Sequence, residues 1–140
     1  MNRKALIRKI REKAKEDEKN RRDRRFLDTM GFLVAKGFLR TNLEIPLLLN
    51  KRLRIDDALW AGRNVEFRIF EVLPAAVLRL GKHFDLDPAR HPELAKVVAR
   101  LRRSEATGEA FCGMPYDKVK AWAEFPLRDR GFRKIAIGLI

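Results

Sequence analysis

Arginine and lysine crowd the start of this chain. Twelve fall in the first 25 residues (Arg3, Lys4, Arg8, Lys9, Arg11, Lys13, Lys15, Lys19, Arg21, Arg22, Arg24 and Arg25), against five acids, Glu12, Glu16, Asp17, Glu18 and Asp23, a balance of +7. The chemistry such a block does is pairing with a polyanion, because each phosphate neutralised by Lys or Arg releases a condensed counterion. Arginine adds a planar fork that can hold two phosphate oxygens or a guanine edge, where lysine acts as a point charge. Within the block, Arg8, Arg11, Lys15, Lys19, Arg21, Arg22, Arg24 and Arg25 are the expected phosphate contacts. Two further basic clusters, Lys51-Arg52-Arg54 and Arg128/Arg130/Arg133/Lys134, add Arg52, Arg54, Arg130, Arg133 and Lys134.

Groups that could break bonds are few. His83 and His91 are eight apart across a proline-bounded turn, a spacing that matches no helix-borne metal pair, so they read as surface residues of a loop. Cys112, in Phe111-Cys112-Gly113-Met114-Pro115, is the single cysteine and reads as a small buried hydrophobe; acting as a nucleophile would require a base brought from elsewhere. Glu44, Asp56, Asp57, Glu66 and Glu71 are the carboxylates a magnesium-dependent nuclease would need, but their spacing is unspecific, and Glu66-Phe67-Arg68 lacks a lysine beside the acid. The chain has no G-x-x-x-x-G-K-[ST], G-x-G-x-x-G, H-E-x-x-H or G-x-S-x-G. The expectation is no catalytic residue, no metal site and no cofactor.

The elements that must position the cations follow from periodicity. From Asn2 to Arg25 there is no Gly or Pro, and Ile7, Ile10 and Ala14 form a narrow stripe that ends before the polar run Lys15–Arg25. This predicts a long, poorly buried helix or frayed arm. Phe26, Leu27, Met30, Leu33, Val34, Phe38 and Leu39 predict a core-facing helix continuing from it, weakened by Gly31 and Gly37. On one continuous helix, Arg21 and Arg25 would share a face, as would Arg22 and Arg25. Leu47, Leu49, Leu53 and Ile55 alternate with Leu48, Asn50, Arg52 and Arg54, a period of two that predicts a strand, and Val65, Phe67 and Ile69 repeat the pattern. Between them a short helix, Ala58–Ala61, is expected with Asp56 or Asp57 as its cap and Gly62 as its end.

Further helices are expected from Glu71–Leu73 to Gly81, with Pro74 in the first turn, from Leu94 to near Arg103, and from Pro115 to Glu124. Trp60 and Trp122 lie among apolar neighbours and are expected to serve the core. The chain closes on Ile135-Ala136-Ile137-Gly138-Leu139-Ile140, an apolar tail that reads as a terminal strand or docking segment.

The fold class predicted is therefore mainly α (α+β): a basic helical arm over residues 1–25, then a single compact helical domain over 26–140 with one or two short strands. The 140 residues, 46% of them apolar, are enough for one packed core. The charge of +13 is uneven, at +7 in the arm, +2 across 27–99 and +4 across 100–140. One cysteine excludes an internal disulfide, and no apolar run is long enough to span a membrane, so a cytosolic protein without a membrane partner is expected. The function these readings favour is a small nucleic-acid-binding protein, DNA or RNA, of the regulator or antitoxin kind, acting as a homodimer. The alternatives are an adaptor or inhibitor whose basic surface meets an acidic or nucleic-acid-bound partner, and a metal-dependent nuclease.

Overall fold

The computed structural model describes residues 2–42, 44–48 and 52–125, and these form six α-helices. They are α1 (Arg3–Arg21), α2 (Arg24–Ala35), α3 (Ile55–Asn64), α4 (Ile69–Arg79), α5 (Pro92–Arg102) and α6 (Tyr116–Glu124). A short 3₁₀ turn, Gly81–His83, follows α4.

The core is built around α4. Ile69, Phe70 and Val72 to Val77 are all buried, and a helix that is apolar nearly all round has to be enclosed on every side. It packs on α3, α5 and α6, while α2 packs on α3. Pro74 lies in the interior of α4, which starts at Ile69, one half-turn or more before the expected start. The alternation at Val65–Ile69 forms no strand: Val65 caps the end of α3, Phe67 and Arg68 make a turn, and Ile69 opens α4. Burial of one face in each neighbour explains why periodicity located α5 and α6 so well.

No strand occurs among the described residues, which corrects the expectation of one or two. Of the predicted strand Leu47–Ile55, residues 49–51 lie outside the described residues and Ile55 is the first residue of α3. What remains of strand pairing is a single parallel bridge between Leu53 and Phe84, with Leu53 N–H donating to the His83 carbonyl (2.7 Å). A carboxylate from the same loop, Asp85 Oδ1, accepts from Ile55 N–H (2.7 Å) and so caps α3 from a distance. Asp56 and Asp57 sit in the first turn of α3 instead of at its cap, where their charge favours the helix dipole.

Two glycines differ from their predicted roles for steric reasons. Gly37 does not interrupt α2 but ends it: at φ 87° it is left-handed, with Phe38 N–H on the Leu33 carbonyl and Gly37 N–H on the Val34 carbonyl, a Schellman closure. Gly62 does not end α3 but lies inside it, where a Cβ would come within 2.6 Å of the Phe70 ring. The predicted continuity of α1 and α2 also fails. Asp23, with extended backbone, accepts from Arg25 N–H (2.8 Å) and caps a new helix.

Candidate nucleic-acid interface

The cations of α1 have no competing structural duty of burial, since none of its 19 residues is buried. Asn2 caps the helix by accepting from Ala5 N–H (2.8 Å). Nine of the 19 residues are Lys or Arg and four are acids, and from Arg3 to Arg11 there are five cations and no acid. The helix touches α2 at its C-terminal end. Lys9, Glu12, Lys13, Glu16, Asp17 and Asn20 line one side of a groove whose other side is Arg63 and Asn64, at the end of α3. The acids Glu12, Glu16 and Asp17 thus turn toward the body, together with Lys9 and Lys13. Arg8, Arg11, Lys15, Lys19 and Arg21, all expected contacts, are exposed on this helix.

The arginine run after it is divided differently. Arg22 pairs with Glu18 (2.6 Å), and Arg24 approaches Asp28 (3.9 Å). Arg25 belongs to the fold: Nε and Nη2 grip both oxygens of Asp23 (3.0 and 2.9 Å), and its guanidinium carbon lies 3.7 Å from the centre of the Trp60 ring. The fork that could have held phosphate is closed on a carboxylate. Its hydrogen bonds hold the Asp23 carboxyl below the usual carboxylate range, and Asp23 in turn raises the Arg25 guanidinium.

Arg52 and Arg54 are exposed at the entry to α3, where Arg54 is the residue preceding its first turn and offsets the charge of Asp56 and Asp57. Burial raises the Asp57 carboxyl despite that cation. Lys51, Arg130, Arg133 and Lys134 lie outside the described residues, as does the whole apolar tail.

Sequence reasoning missed one polar pair. His91, read as a surface residue, is only 7% exposed, and its Nε2–H donates to Asp56 Oδ1 (2.8 Å), joining the turn before α5 to the first turn of α3. Arg90 closes on the other oxygen of the same carboxylate. The His91 hydrogen bond first, and the Arg90 charge after it, hold Asp56 below the usual range against its partial burial. No spacing rule reaches this pair, because it joins the first turn of α3 to the turn before α5, 35 residues apart.

Cys112 is half-buried in a tight turn. Cys112 (φ 49°) and Gly113 (φ 85°) are both left-handed between Phe111 and Met114, whose backbones exchange hydrogen bonds. Burial, with the Glu93 charge beside it, pushes the thiol up to about 11, so the reactive thiolate is disfavoured. Among the described residues no group of three or more His, Cys, Asp or Glu could hold a metal ion, and no helix is long and apolar enough to cross a membrane. The two tryptophans pack at the edge of the core, Trp122 between Phe38 and Phe125 and Trp60 beneath Arg25. No family model matches the chain, and no curated protein and no solved structure matches it.

Proposed function

We propose that this protein binds nucleic acid through α1, laying the helix against phosphate while α2 to α6 provide the folded body. One observation carries the reading: a 19-residue helix with nine cations and no buried residue. Helices in small domains ordinarily persist because one face is buried, and α1 has no such face. A helix of that length runs about 28 Å, the rise of roughly eight base pairs. Arg3, Lys4, Arg8, Arg11, Lys15, Lys19 and Arg21 are the contacts proposed on α1, and Arg25 leaves the set.

The test is a salt titration of binding to random-sequence duplex and to structured RNA by fluorescence anisotropy. The full chain is expected to lose affinity steeply with salt, and Arg3→Gln/Arg8→Gln/Arg11→Gln to lower the log–log slope by about one for each phosphate left without its cation. A flat salt dependence overturns the reading and favours the acidic protein partner. Magnesium-dependent loss of plasmid would favour the nuclease.

A further inference from the structure

The large aliphatic side chains that are exposed among the described residues lie together on the first half of α1. Leu6 is 50% exposed, Ile7 40% and Ile10 60%. At about 100° per residue they fall with Ala14 inside an arc of roughly 100°, flanked by Lys4 and Arg11 on one side and by Lys9 and Lys13 on the other. Phosphate contacts have no use for these aliphatic groups, and the body does not cover them.

We infer that the first half of α1 is an interfacial helix for anionic lipid surfaces, a property beyond nucleic-acid binding. Charge complementarity selects the occupant, since Arg3–Arg11 offers five cations and no acid around the apolar stripe. A specific protein interface buries about 1,000 Å² or more, which three aliphatic side chains on under two turns do not approach. Pairing the stripe with a second α1 is opposed by charge: a parallel copy sets Lys4 and Arg11 beside their equivalents, and an antiparallel copy centred on Ile10 sets Lys9 against Arg11. A lipid surface needs no shape match. Short aliphatic side chains reach the acyl boundary while the lysine and arginine heads extend to the lipid phosphates.

The experiment is co-sedimentation of the full chain with vesicles of phosphatidylcholine and phosphatidylserine at about 3:1, and with phosphatidylcholine alone. Binding is expected to the mixed vesicles only. Leu6→Ser/Ile7→Ser/Ile10→Ser should weaken it roughly tenfold or more while leaving duplex affinity within about twofold. Because these side chains are exposed, the variant's circular dichroism should match that of the parent. Failure of the parent to sediment with mixed vesicles overturns the inference and leaves the nucleic-acid reading standing. Undiminished vesicle binding by the variant also overturns it, by showing adsorption through charge alone. So does an oligomer in sedimentation velocity that the variant dissolves, which would make the stripe an interface between copies.

Discussion

Arginines that look alike in sequence have separate duties here. Arg8 stands on a helix without buried residues, whereas Arg25 clamps Asp23 and covers Trp60. Arg25→Gln is accordingly expected to lower the thermal unfolding midpoint by several degrees with little change in duplex affinity, and Arg8→Gln to do the reverse; paired melting and anisotropy measurements separate the two. Asp56 offers a pH test. Its folded-state carboxyl titrates below the ordinary value of about 3.9, so its pairing stabilises the fold above about pH 4 and is lost as pH falls through the lowered value. Urea unfolding at a series of acid pH values should show a shallower acid limb for Asp56→Asn than for the parent. His91→Ala removes the donor from a part-buried pair and should cost about 1 kcal/mol at neutral pH. The charge of the arm was legible at this scale because charge counts need no fold. The Asp23–Arg25–Trp60 stack and the Asp56–His91 pair were not, because their members meet only after α2, α3 and the loop before α5 have packed.

At the scale of elements, period carried the reading where one face of a helix is buried and failed where a segment is held by its surroundings. α6 spans Tyr116–Glu124, with Val119 buried and Trp122 at the core edge, close to the predicted Pro115–Glu124. The alternation at Leu47–Ile55 is real, but no neighbouring strand exists among the described residues to pair with it; Leu48 N–H instead donates to the Gly31 carbonyl (3.3 Å) on α2. That close approach explains a glycine the helical pattern could not. A Cβ at Gly31 would stand 2.3 Å from the Pro46 carbonyl, so Gly31→Ala should destabilise by about 1–3 kcal/mol despite the better helix propensity of alanine. Urea denaturation checks the sign, which propensity alone gets wrong. The boundary between arm and body is set by the same logic: α1 ends at Arg21, and Asp23 and Arg25 belong to the start of α2. Deleting residues 1–21 should therefore leave the body folded, whereas a cut after Arg25 would also take the cap of α2 and the cover of Trp60.

Across the whole molecule, net charge and seated cations make different demands on that truncation. Residues 1–21 hold nine cations and four acids, so the chain without them keeps +8 of its +13. If net charge alone drew the protein to a duplex, through steering at long range, most of the attraction would survive. If α1 is the element that touches phosphate, the loss is out of proportion to the charge removed, because counterion release depends on the cations seated against the backbone and not on the total. The expected result is a folded protein, since α1 contributes no buried residue, with a log–log salt slope reduced by more than half although fewer than half of the net charges are gone. A slope reduced only in proportion to net charge would assign binding to the body or to residues 126–140, which carry cations of their own. Unfolding of the truncated chain would instead make α1 a structural helix.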